Sequence, residues 1–325
     1  MKKYLFALSL FALFPFSIFA QQKLSGADSA RKVIDTMLNY AKQKSIYRNK
    51  VDWKILTDSV RKHSAKATSI KEAIQSVPLF YQLLGDFHGF VSYQKKTYKW
   101  RTKKITLDTV KYKSLLSKLK QMPKPETKLL EEGYGYLLIP TNNPTRHGET
   151  DRLAQEIQDS LSKLHPEKLT GLIIDLRSNP GGNMYPMILG VANLLGRGNL
   201  GSFIDPVTNE KTPWEIKGKA IFVGKDKVCQ LKTPASPALE LKVAVLIGPY
   251  TASSGEATAI SFKGRKNTRL FGEKTAGYTT ANQSFRIFDL DIFMATGAEA
   301  DRNNVVYYEL VSPDQEIIAC TVDDA

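Results

Sequence analysis

The chain has 325 residues, 42% of them hydrophobic, and carries 46 Lys and Arg against 32 Asp and Glu for a formal net charge of +14. Such a length supports one large or two modest domains with a real hydrophobic core. The two cysteines, Cys229 and Cys320, do not make a disulfide scaffold, and the four scattered histidines (His63, His88, His147, His165) have no neighbouring ligand at zinc spacing, which argues against a structural zinc site.

The N-terminal MKKYLFALSLFALFPFSIFA joins Lys2 and Lys3 to an apolar stretch that ends at the small Ala20, the pattern of a secretory signal peptide over residues 1–20. Its apolar part is short for a membrane span and no cysteine follows to accept a lipid, so cleavage would release a soluble periplasmic or extracellular protein; a retained anchor is the rival reading. Loss of Lys2 and Lys3 would bring the formal charge to +12. In an oxidising compartment Cys229 and Cys320 could pair or remain as two buried thiols, and both readings stay open.

Residues 21–94 are predicted to form a small helical domain. Val33, Met37, Leu38 and Ala41 recur at helical spacing, Asp52 can cap a turn carrying Trp53, Leu56 and Val60, and Ser69 to Glu72 is a capping box. Pro78 forces a kink or a restart before LLGDFHGFVSY. Residues 95–128 follow as a basic connector holding twelve Lys or Arg against Asp108 and Glu126, with one amphipathic helix near Tyr112 to Leu119. Tyr98, Trp100 and Tyr112 among those cations would suggest nucleic acid in an intracellular protein. Export argues against nucleic acid and leaves a solvated linker, or a surface for an anionic envelope or an acidic substrate.

From residue 129 the periodicity changes. GYGYLLIP (133–140) reads as a strand, Asp151 to Leu164 as a helix, GLIIDL (171–176) as a buried strand and Met184 to Leu195 as a second helix, which predicts an α/β core with a parallel sheet. A polar excursion over 205–239 leads to the apolar strand at Val243, a helix opening at Ser253 and Ser254, and a strand near Arg269 to Gly272; the tail from Phe285 to Ile317 reads as β-hairpins.

Three segments could carry chemistry. Val243 to Glu256, VAVLIGPYTASSGE, sets two serines at a helix start behind a buried strand, where free N–H groups and the positive dipole end can meet developing negative charge. Asp175 to Asn183 runs from a strand end into Pro-Gly-Gly, whose backbone N–H groups can converge on an anion. Gly85-Asp-Phe-His-Gly89 places a histidine in a glycine-flanked turn. Taken singly, each is also an ordinary N-cap, turn or surface histidine.

In this order the three segments, with FGEKTAGYTTANQSF (271–285), Asp301-Arg302-Asn303 and VSPDQEI (311–317), resemble the S41 serine peptidases, the C-terminal processing or tail-specific family. The TASS segment, the GYTT run and the DR…PDQ ending look most like its nisin-resistance subgroup. The resemblance covers about residues 133–317, more loosely 51–91. It implies a crotonase-like (ClpP/crotonase-type) catalytic core over 129–325, with Ser253 as nucleophile and an oxyanion hole from Ser254 with Gly181 or Gly182. Family members with a lysine base carry it after a glycine where this chain has Gly277-Tyr278, so the resemblance shifts the base to His88, with Lys274 as the fallback. Asp301, Glu309 and Glu256 are candidates to orient His88. The PDZ domain of many relatives is expected to be missing, since only the basic connector occupies its interval.

These readings together describe a secreted endopeptidase acting on peptide or protein substrates, without metal or organic cofactor. Two rivals remain: a non-catalytic peptide-binding envelope protein of the same fold, and an α/β-hydrolase-type esterase, whose elbow Thr251-x-Ser253-x-Gly255 matches only in part.

Overall fold

A computed structural model of the chain describes residues 24–100, 108–121, 124–144, 146, 148–233 and 236–318. The proposed signal segment and Cys320 lie outside these residues, so neither the cleavage site nor the Cys229–Cys320 pairing is addressed by the fold.

The core is a six-stranded sheet. Tyr134–Leu138, Gly171–Asp175, Lys242–Ile247 and Thr268–Gly272 run parallel as neighbours, Gln315–Glu316 adds a parallel edge, and Glu126–Leu129 closes the other edge antiparallel to Tyr134–Leu138. The central strands Gly171–Asp175 and Lys242–Ile247 are apolar runs because they lie inside the sheet with helices packed on it, whereas the edge strands Glu126–Leu129 and Gln315–Glu316 are mostly polar and exposed. Leu172, Ile174, Val243, Val245 and Ile247 share one cluster with Ile157 and Leu161 of the helix Glu149–Ser162, and with Ala257 and Ile260 of the helix Ser254–Phe262. Every residue of Ser254–Phe262 is buried, which explains its composition, SGEATAISF: small residues let it be enclosed on all sides.

A second sheet of nine strands stands beside the first. Its long strand Leu290–Asp301 pairs with Phe90–Tyr93, with Gly198–Ile204 and, as a hairpin, with Thr280–Ile287. Beyond Gly198–Ile204 the strands Lys211–Lys217, Ala220–Val223 and Asp226–Gln230 form a meander. The stretch read as a polar excursion therefore contributes three strands to this sheet. Trp214 and Ile216 face the core while Lys211 and Lys217 face solvent, so its mean polarity hides a one-sided alternation.

The N-terminal helices Gly26–Lys44, Trp53–Ser64, Ile70–Ala73 and Val77–Leu84 form where the capping and spacing signals place them; Asp52 caps the second and Pro78 sits in the first turn of the last. They do not close a core of their own. Leu290, Ile292 and Met294 of the long strand complete their cluster, and Phe90–Tyr93 joins that strand's sheet, so residue 94 is not a packing boundary. The connector helix is Lys113–Gln121, and Lys111 and Tyr112 just before it bind Glu273 of the core at 3.1 and 2.6 Å. Lys103 and Lys104 lie outside the described residues. Cys229 is buried, and burial pushes its thiol pKa up.

Candidate active site

Ser253 sits just past the C-terminal end of the central strand Lys242–Ile247, the usual site for chemistry in a parallel sheet. Its backbone is strained, with φ 52° and ψ −118°, a region that L-residues seldom occupy and functional turns do. The strain is held from several sides. Thr251, fully buried, donates its hydroxyl to Leu176 O at 2.9 Å and accepts Gly248 N–H, and Ala252 N–H reaches Asn179 O at 3.0 Å. The Glu256 carboxylate reaches back to Ser253 N–H at 2.8 Å.

Asn179 ties the Pro-Gly-Gly turn to this elbow. Its amide donates to Ile139 O at 3.0 Å, and its Oδ1 accepts Gly181 N–H at 3.0 Å. The two glycines therefore differ. Gly181 packs against Ser253, where an added Cβ would lie 3.0 Å from the serine Cβ, and its N–H is occupied by Asn179. Gly182, exposed at φ 121°, keeps its N–H without a partner among the described residues. Of the expected pair, only Gly182 can offer an N–H to an anion. The N–H of Ser254, in the first position of its helix, is likewise open, while the Ser254 hydroxyl donates to Gly182 O at 2.7 Å and holds the turn against the helix.

His88 reaches the same cleft from the N-terminal side. The helix Val77–Leu84 ends on Gly85 at φ 80°, and buried Asp86 then accepts the N–H groups of His88 and Gly89 at 3.0 and 2.7 Å and that of Ala295 at 3.0 Å. Asn282 donates to His88 O at 3.1 Å. The His88 Nδ1 lies 2.8 Å from Thr280 Oγ1, and the Tyr278 ring stands edge-on to the imidazole at 5.1 Å. With Nδ1–H donated to Thr280, Nε2 carries the free lone pair. Burial pushes the imidazole pKa down to about 4, opposed by a hydrogen bond to the Thr280 backbone. One edge stays open to the cleft, whose water works against that shift.

None of the three carboxylates expected to orient His88 does so. Asp301 accepts Asn303 and Val305 N–H groups and the Tyr307 hydroxyl, and Glu309 is exposed. Glu256 is spent on four donors: Ser253 N–H, Tyr278 N–H at 2.7 Å, Gly277 N–H at 2.8 Å and the Thr275 hydroxyl at 2.5 Å. Burial holds its pKa above the ordinary carboxylate value, and these four bonds oppose that rise only in part. Lys274, the fallback base, is exposed and absent from the cleft lining. Sequence reasoning missed Thr280. The only available signal was its place in GYTT, since a threonine carries no mark of a partner 192 residues away.

Ser253, Ser254, Gly182, His88 and Thr280 line one cleft of about 720 Å³. Among the described residues no three His, Cys, Asp or Glu side chains group to hold a metal. A serine on a strained elbow, an imidazole with one nitrogen occupied, and two open N–H groups, Ser254 at a helix start and Gly182 in the facing turn, form a set suited to acyl transfer.

Residues 133–317 match the model of peptidase family S41. The nisin-resistance protein of Lactococcus lactis subsp. lactis is 28% identical over 293 residues, 88% of this chain and 83% of that protein. A protein of Staphylococcus saprophyticus described as a "probable CtpA-like serine protease" is 23% identical over 164 residues, 50% of this chain but 30% of its own length. Among solved structures, a lipoprotein from Streptococcus agalactiae superposes with a TM-score of 0.68 at 24% identity, covering 95% of both chains. The photosystem II D1 C-terminal processing protease superposes with a TM-score of 0.56 at 13% identity, over 90% of this chain and 94% of that one. Both likenesses speak to the fold alone.

Proposed function

The chain belongs to peptidase family S41, and from that premise we propose that it is a serine peptidase in which Ser253 is the nucleophile and His88 the general base. Ser253 Oγ attacks the peptide carbonyl as its proton passes to His88 Nε2. The N–H groups of Gly182 and Ser254 hold the oxyanion. His88 then returns the proton to the leaving amine, and water hydrolyses the acyl-enzyme by the same route. Thr280 keeps the imidazole in the tautomer that leaves Nε2 free. This acyl transfer requires no metal or organic cofactor.

The observation that carries the reading is the strained elbow at Ser253, facing the same cleft as a histidine whose other nitrogen is already occupied. Strain of this kind, costing about 1–3 kcal/mol, persists where the surroundings enforce it for function. We extend the proposal to a crotonase-like core without a PDZ domain, to export through residues 1–20 and to association of the basic connector with an anionic envelope surface. Among the described residues no helix is long and apolar enough to cross a membrane.

Labelling with a fluorophosphonate tests the central claim. Wild-type protein should be modified once, at Ser253, and Ser253→Ala should not be labelled. A folded wild-type protein that resists the reagent and cleaves no peptide would instead be a binder retaining the fold.

A further inference from the structure

Glu299 lies on the long strand Leu290–Asp301 and lines the cleft that holds Ser253 and His88. It is 3% exposed, and its Oε2 has no hydrogen-bond partner among the described residues. A buried carboxyl without a partner is costly and in native proteins rarely unexplained. The other buried or paired carboxyls nearby have partners, since Glu256 serves four donors and Asp205 is paired with Arg48 at 2.6 Å, while Glu210 is exposed.

The surroundings of Glu299 define what could pair with it. Phe203 is its cross-strand neighbour, and Tyr185 also borders the cleft, so the approach to the carboxyl has aromatic walls. Glu299, Asp205 and Glu210 line the cleft beside Lys44, with Asp205 already paired to Arg48, so Glu299 is the buried acceptor left over. An aliphatic stem ending in a cation fits these features, because aromatic faces accept both the methylenes and the charge while the carboxyl takes the hydrogen bonds.

We propose that Glu299 is a specificity-determining residue that receives a Lys or Arg side chain of the peptide substrate in this cleft. The inference rests on the peptidase reading for the substrate but not for the site, which can be probed by binding alone. Burial, with the nearby Glu256 carboxylate adding to it, pushes the Glu299 pKa well up. The titratable and charged groups around it are Glu256, Tyr185 and Tyr307, its cross-strand neighbour on the other side, with His88, Asp205, Glu210 and Lys44 farther along the cleft wall. A bound cation favours the carboxylate, and binding should therefore release a proton.

The test uses the mature protein and a positional-scanning peptide library in which each position carries Lys, acetyl-Lys or norleucine. At one position Lys should be preferred over acetyl-Lys by about tenfold or more in kcat/KM, and Glu299→Gln should reduce that ratio to about one while still cleaving the acetyl-Lys peptide. Binding of the same peptides to Ser253→Ala should show the same preference, with proton release detected by calorimetry in buffers of different ionisation enthalpy, and should lose both in Ser253→Ala/Glu299→Gln. Binding preference without cleavage would overturn the peptidase reading and uphold this one. Cleavage with no basic preference at any position, or a preference unchanged by Glu299→Gln in a variant whose circular dichroism matches wild type, would overturn this one.

Discussion

The Glu256 carboxylate accepts the backbone N–H of Ser253 at 2.8 Å, and with the same oxygen that of Tyr278 at 2.7 Å. Tyr278 in turn stands edge-on to His88. One buried side chain thus fixes the strained elbow and the loop that flanks the imidazole, so the proposed nucleophile and base share a single anchor. Replacing Glu256 by Gln puts an NH₂ where only donors converge. The variant should lose about 2–4 kcal/mol of stability and at least about a hundredfold in peptidase activity. Urea unfolding and peptide turnover would check both, and near-native activity in Glu256→Gln would remove the anchor from the account.

Ser253→Ala should be inactive yet folded. Ser253→Gly should be inactive and more stable than Ser253→Ala, because glycine accepts φ 52° and ψ −118° without Cβ strain. The expected gain is about 1 kcal/mol, a rise of about 2–3 °C in Tm for a chain of this size. A Gly variant less stable than the Ala variant would show that the elbow stores no strain.

His88 sets the pH profile. The ordinary imidazole value of about 6.5 would place the acidic limb of kcat/KM near neutrality; burial moves it down towards the native pKa of about 4. Activity should therefore hold from pH 7 to about 5 and fall below that, and His88→Ala should lose about a thousandfold or more. Stability follows the same shift. The native pKa is depressed, so this contribution is present above about 6.5 and is lost as pH falls through about 4, by up to about 3 kcal/mol before allowance for water in the cleft. Unfolding at pH 7.5 and 4.5 should show a larger loss for wild type than for His88→Asn.

Thr280 is a positioning residue. Thr280→Val should lower kcat by about ten- to a hundredfold with KM nearly unchanged, since the imidazole is freed to adopt the wrong tautomer while the peptide cleft stays intact. Thr280→Ser should restore most of the rate. Failure of serine to rescue would point to packing at this buried site instead of the hydroxyl.

Glu273 clamps the connector to the core through Lys111 and Tyr112. Tyr112→Phe should cost about 1 kcal/mol, and a double-mutant cycle with Glu273→Gln should return a coupling of about 0.5–2 kcal/mol by chemical denaturation. Additive effects would mean the clamp is incidental.

Local signals carried much of this protein. The apolar runs ending at Ile247 and Asp175, the Pro-Gly-Gly turn and the paired serines are contiguous in sequence, and each has a short-range physical cause: burial on both faces, glycine at positive φ, a helix start. Capping by Asp52 and Ser69 and the restart at Pro78 were legible for the same reason. Pairings across the fold were not. His88 meets Thr280, Asp86 reaches Ala295, and Glu299 is left unpaired only because the long strand lies between Phe90–Tyr93, Gly198–Ile204 and the Thr280–Ile287 hairpin in one register. A hydroxyl or carboxyl has no periodicity that announces its partner. Which of Asp301, Glu309 and Glu256 would meet the histidine was therefore decided by strand register and loop closure, and the place next to its ring nitrogen went to a threonine.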